Sequence, residues 1–113
     1  MRKIFVINET QGDRLALAAY GTVVAVCPGW IDSKAETVNN ACRLVVETLK
    51  DQYKDGDLIV LGGHGKLSYV AFHHILCKHL VLRQLLPKAG GWFQLKHEHT
   101  EEEEYGREWF IAQ

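Results

Sequence analysis

The chain has 113 residues, with 13 Lys and Arg against 14 Asp and Glu, for a formal net charge of −1. That length fits one small domain around one core, and a content of 47% hydrophobic and 24% charged residues excludes a disordered, collagen-like or disulfide-stapled chain. Near-neutrality argues against broad, sequence-independent binding of long nucleic acid but leaves room for a local phosphate pocket.

In chain order, Lys3 to Asn8 is a short β-branched run ending in polar residues, the pattern of a buried strand that meets a loop. Asp13 to Tyr20 supplies about two turns of helix, with Leu15, Ala18 and Ala19 on one side and Gly21 as a stop. Thr22 to Cys27 is continuously apolar and closed by Pro28-Gly29, which predicts a central parallel strand covered on both faces. Ser33 with Glu36 three residues on reads as a capping box. The helix it opens carries Val38, Ala41, Cys42, Val45 and Leu49 on one face and ends near Tyr53. Asp57 to Leu61 predicts a third buried strand, followed directly by Gly62-Gly63-His64-Gly65.

From Lys66 to Leu86 the spacing predicts a helix that is apolar on two sides. Leu67, Val70, Ala71, Val81 and Leu85 would cover the sheet, while Phe72, Leu76 and Leu80 would face a second subunit in a homodimer. Pro87 and Gly90-Gly91 close this region. Trp92 to Lys96 and Glu108 to Ala112 then read as an antiparallel strand pair joined by an acidic loop. The whole order predicts an α/β fold, a single three-layer Rossmann-like domain over residues 1–113 with a mostly parallel sheet and a C-terminal antiparallel hairpin. Setting aside Glu98 and Glu101 to Glu104 leaves nine acids against 13 bases, so charge is segregated along the chain.

No apolar run approaches the roughly 18 residues that span a bilayer, and the start, Met1 to Val6, enters a strand rather than a signal peptide. Cys27, Cys42 and Cys77 include no Cys-x-x-Cys pair, which fits reduced thiols in a cytoplasmic protein.

In parallel sheets ligands bind beyond the carboxyl ends of the strands, where the chain order reverses. Those ends carry Asn8, Thr10 and Gln11 from the first strand, Trp30 from the second, and Gly63, His64, Gly65, Lys66 and Ser68 from the third. Glycines permit close backbone approach and a following helix N-terminus presents amides to an anion, so phosphate is the natural ligand class. Lys66 would add charge, Ser68 a hydroxyl and His64 an acid/base group. The segment is not a P-loop, because Leu67 separates Lys66 from Ser68, and Ser68 replaces the last glycine of Gly-x-Gly-x-x-Gly. A plain strand-to-helix turn with an N-cap explains the same residues. Trp30 either stacks a base or plugs the core, and Asn8 and Gln11 either read a base edge or shape a turn.

His73, His74, Cys77 and His79 share one stretch of helix. His73 or His74 with Cys77 can place two metal ligands on one face, and His97 or His99 could complete a set. The spacing matches no recognised metal motif, so packing and surface roles are expected, with no metal and no cofactor. The acidic segment reads as a solvated hairpin tip.

The order of elements, together with Asp57-Leu-Ile-Val-Leu-Gly-Gly-His-Gly-Lys-Leu-Ser68 and the apolar helix behind it, resembles the CRISPR-associated Rossmann-like (CARF) domains and small stand-alone ring nucleases. The resemblance covers most of the chain through layout and a glycine-polar turn. It implies a homodimer whose strand-end surfaces form one pocket for a cyclic oligoadenylate. It also implies metal-independent cleavage by a ribose 2′-hydroxyl, with Lys66 and turn amides on the phosphate and His64 moving the proton. The alternatives are a nucleotide sensor or sponge that does not cleave, and a protein-protein interaction or inhibitor domain that uses the Phe72-Leu76-Leu80 face.

Overall fold

A computed structural model describes residues 2–9, 16–29 and 31–99. Their elements are β1 (Lys3–Glu9), β2 (Thr22–Pro28), α1 (Ala35–Gln52), β3 (Leu58–Val60), α2 (Gly65–His79), β4 (Val81–Lys88) and β5 (Gly91–Glu98). The strands form one five-stranded sheet in the order β2-β1-β3-β4-β5, parallel except for the β4–β5 hairpin. The fold is therefore α/β with a mostly parallel sheet and a C-terminal antiparallel pair. Among the described residues no helix is long and apolar enough to cross a membrane.

The alternation of a strand sends successive side chains to opposite faces, and both faces of this sheet have a core. Phe5, Ile7, Ile59 and Leu82 bury against Val45 and Leu49 of α1 and Leu67, Ala71 and Ile75 of α2. Ile4, Val6, Leu58, Val60 and Leu85 form a smaller cluster on the other face, where Leu17 and the half-buried Trp92 join them.

Five sequence expectations are corrected here. First, β2 is an edge strand, not a central one. An apolar run reports cover on its two faces, which α1 and the smaller cluster partly give it, but not the number of strand neighbours. Second, the capping box does not form. The N-cap of α1 is Lys34, without a side-chain cap, and Asp32 Oδ1 accepts from the Lys34 amide at 2.9 Å, so Ser33 lies one residue too early.

Third, in the segment before β2 only Ala16 and Leu17 of the described residues are helical. The inward residue is Leu17, while Ala18 and Ala19 are exposed; Asp13 to Leu15 lie outside the described residues. Fourth, the long helix stops at His79, and Val81–Lys88 is a strand. Leu82 and Leu85, three apart, imitate a helical stripe. In a strand that spacing sends them to opposite faces, and each face here has a core to receive one. Fifth, β5 pairs with β4, from Val81↔Glu98 to Lys88↔Gly91, whereas Glu101 to Glu104 and Glu108 to Ala112 lie outside the described residues.

The helix end explains why the stop was hidden in the sequence. Leu80 caps α2 in the left-handed conformation at φ 66°, its amide donating to Leu76 O, where a glycine would have announced the end. Its side chain is 56% exposed, so little packing would be lost on truncation. Leu80→Gly is expected to stabilise the protein by about 1 kcal/mol, read as a higher urea midpoint at unchanged slope. A lower midpoint would show that the leucine side chain matters more than the backbone strain. The same geometry dismantles the expected dimer face: Leu76 is 1% exposed within the core and Phe72 is half-buried against His97, leaving only Leu80 outside.

Candidate functional site

The strand order places the reversal between β1 and β3: from β1 the chain moves to β2 on one side, and from β3 to β4 on the other. The crevice between the ends of these strands is where a parallel sheet offers a ligand site. Asn8 is the last residue but one of β1, and the glycine turn leads from β3 into α2.

Asn8 is buried, and its carboxamide ties three strand ends together. Its Oδ1 accepts from the His64 amide at 3.1 Å, and its Nδ2 donates to Gly29 O at 2.6 Å and to Cys27 O at 3.4 Å. A side chain used this fully positions the turn, with both amide hydrogens and one of the two Oδ1 lone pairs engaged. Gly63 makes the close approach possible. Its φ is +71°, and a Cβ there would overlap the Asn8 carboxamide.

His64 is the N-cap of α2, with Nδ1 accepting from the Lys66 amide at 3.2 Å. The Leu67 and Ser68 amides donate to His64 O at 3.1 and 3.3 Å, and Ser68 Oγ donates to Gly62 O at 3.1 Å. The first turn of the helix therefore satisfies most of its own donors, which a helix start must do unless a ligand does it instead. The Gly65 amide is left without an internal partner among the described residues, as is the exposed ammonium of Lys66. His64 keeps its Nε2 edge for other contacts.

Beside this turn lie two thiols that sequence reasoning did not connect with it. Cys27 Sγ donates to Ala41 O at 3.8 Å. Burial pushes the Cys27 thiol up, and neighbouring Cys42 pushes it further. Burial also raises Cys42, while Lys66 pulls it down. Both therefore favour the neutral thiol over the nucleophilic thiolate. The influence of Lys66 on Cys42 means that the two lie near enough for the ammonium to act on the thiol. Nothing in the spacing of residues 27, 42 and 66 signals this proximity, because it depends on the packing of α1 against α2.

The histidines separate as their helical directions suggest. His79 Nδ1 pairs with Asp55 Oδ1 at 2.9 Å, and His97 Nε2 meets Gln84 Oε1 at 3.0 Å. His74 has its Nε2 buried with no partner among the described residues, and burial, followed by Lys78, His79, Lys50 and His73, lowers its pKa and keeps the ring neutral. Among the described residues, no three His, Cys, Asp or Glu side chains converge as a metal site.

Of the sequence-selected residues, Asn8, Gly63, His64, Gly65, Lys66 and Ser68 come together at the β1–β3 crevice; Thr10, Gln11 and Trp30 lie outside the described residues. Compared with known proteins, the chain matches no protein-family model, no curated sequence and no solved structure.

Proposed function

We propose that the crevice between β1 and β3 binds a phosphate of a nucleotide second messenger, and that the protein is a nucleotide-binding module rather than a nuclease. The observation that carries this reading is the placement, at the topological switch point, of an exposed lysine and a helix-start amide without a partner among the described residues, on a glycine turn held rigid by Asn8. Preorganised donors of this kind bind an anion without further ordering cost. Binding is favoured over cleavage because the His64 Nδ1, the ring nitrogen that accepts, is already engaged by the Lys66 amide, which leaves the neutral ring's proton on Nε2 and no free acceptor to take one from a ribose hydroxyl.

A cyclic oligoadenylate is the specific ligand implied by the resemblance to CARF domains, with a homodimeric pocket. Completion of a three-layer Rossmann-like domain belongs to the same proposal and is supported by the second apolar cluster around Leu17. A cytoplasmic setting agrees with three free cysteines.

The experiment is a titration of the chain with linear and cyclic adenine nucleotides, followed by chromatography of the mixtures. Binding without new products is expected. Lys66→Ala should weaken binding about tenfold, the scale of one charge-assisted contact, with no change in the urea midpoint because the side chain is exposed. Turnover would replace the binding module with the ring-nuclease reading, and absence of binding to every nucleotide would remove the proposal.

A further inference from the structure

The flanks of α1 and α2 meet in a shallow cavity of about 380 Å³ that belongs to neither the crevice nor the core. Val46 of α1, with Val70 and the Tyr69 ring of α2, gives it an apolar wall, and His74 and Lys78 border it. Tyr69 stacks on His73 with ring centroids 5.8 Å apart, which fixes the aromatic surface in place. A hollow of this size suits a small organic molecule, for which roughly 300–1,000 Å³ is usual.

The charge around it has one sign. Residues 65–79 contain two lysines and three histidines but no Asp or Glu. On α1, Lys50 lies one turn after Val46 and about 40° from it round the helix, whereas Glu47 and Asp51 stand about 100° and 140° away, toward the strip of Leu44. Asp55, beyond the end of α1, is paired with His79 at 2.9 Å. Neither Lys50 nor Lys78 has an ion pair among the described residues. The His74 ring registers the result: the charges that act on it are those of Lys78, His79, Lys50 and His73, all of them bases. An apolar wall beside unpaired positive charge is the complement of an apolar anion, since a neutral ring would leave the ammonium groups unused and a bare inorganic anion would leave the wall wet.

We propose that the cavity between α1 and α2 binds a small aromatic carboxylate, its ring against Val46, Val70 and Tyr69 and its carboxylate toward the ammonium groups of Lys78 and Lys50. The Tyr69 ring gains from an aromatic partner beyond the area that the contact buries. The lysine stems lie along apolar surface while their charged ends stay in water, where they meet the carboxylate. This site is distinct from the strand-end crevice: Lys66 stands in the first turn of α2 and Lys78 in the last, about 18 Å apart along the helix.

The test titrates the full chain with 1-naphthoate, followed by its fluorescence and by amide shifts in ¹H–¹⁵N spectra, with 1-naphthamide as the neutral twin. Expected are saturable binding of the carboxylate, amide shifts centred on Val46, Val70 and Lys78, and binding of the naphthamide that is weaker by about tenfold. Lys50→Gln and Lys78→Gln should each weaken naphthoate binding about threefold, and about tenfold together, the scale of exposed ion pairs, with unchanged circular dichroism. Added salt should weaken it in the same direction. Lys88→Gln, which removes the same charge from the β4–β5 turn, should leave binding as it is. No saturable binding, equal binding of the naphthamide, full binding by the double variant, or shifts centred on Gly63 to Lys66 instead would each overturn the proposal.

Discussion

Replacing Gly63 by alanine is expected to cost about 3 kcal/mol or more, while the same change at Gly62 or Gly65 costs little. The three glycines look equivalent in sequence but differ in what surrounds them. A Cβ at Gly63 would overlap Asn8, and its φ of +71° disfavours any L side chain; a Cβ at Gly62 or Gly65 meets nothing within 4 Å, and neither has a positive φ. The left-handed conformation alone costs alanine about 1–2 kcal/mol. Moving Asn8 aside then breaks its bonds to His64 N, Gly29 O and Cys27 O, each worth about 1 kcal/mol net and more where a buried partner is stranded. Gly65→Ala, at the first position of α2, should instead be neutral or stabilising by up to about 1 kcal/mol, since alanine suits a helix better. Urea denaturation of the three variants is the measurement. Equal midpoints for Gly63→Ala and Gly62→Ala would mean that Asn8 does not clamp the turn.

That contrast marks the limit of what the sequence made legible. The parallel strands and the two helices were readable because apolar runs and a 3.6-residue stripe report burial, a short-range property of each segment. The crevice was readable in outline because strand ends in such sheets converge. The role of Asn8 was not. Whether an asparagine at a strand end faces a ligand or clamps its neighbours depends on residues 19 to 56 positions away, and periodicity holds no such information. The missed strand at Val81–Lys88 has a different cause. Leu82 and Leu85 satisfy a helix template and a two-faced strand equally well, and the usual glycine stop is replaced by Leu80. Of the apolar excess assigned to a dimer interface, Leu76 lies in the core on the helix-covered face of the sheet with Phe72 packed against it, and Leu80 is exposed.

The other large effect concerns the corner opposite the crevice, at the end of α1, and it is expected above pH 10. Tyr53 is buried between Phe5 and His79, with ring centroids 5.7 and 4.8 Å away, and its hydroxyl donates to Asp57 O at 3.3 Å. Asp57 is itself buried, accepting from Lys3 N at Oδ1 and from Lys54 N at Oδ2, both at 3.0 Å, so one side chain ties the start of β1 to the turn before β3. Burial first, then Asp57 and Asp55, with Arg83 pulling the other way, pushes the Tyr53 phenol up to about 12. An unfolded tyrosine ionises near pH 10. Between these values the folded chain holds a proton that the unfolded chain has released, so stability falls as pH rises through the window and is fully present below it. Two pH units at about 1.4 kcal/mol each set the loss at roughly 2–3 kcal/mol. Tyr53→Phe removes the titrating group and the bond to Asp57 O, costing about 1 kcal/mol near neutrality. The stability difference between wild type and variant should therefore favour wild type at pH 8, shrink above pH 10 and reverse sign by pH 12. Other groups titrate in both chains and cancel in that difference. A difference that stays constant from pH 8 to 12 would place the phenol in water rather than in the core.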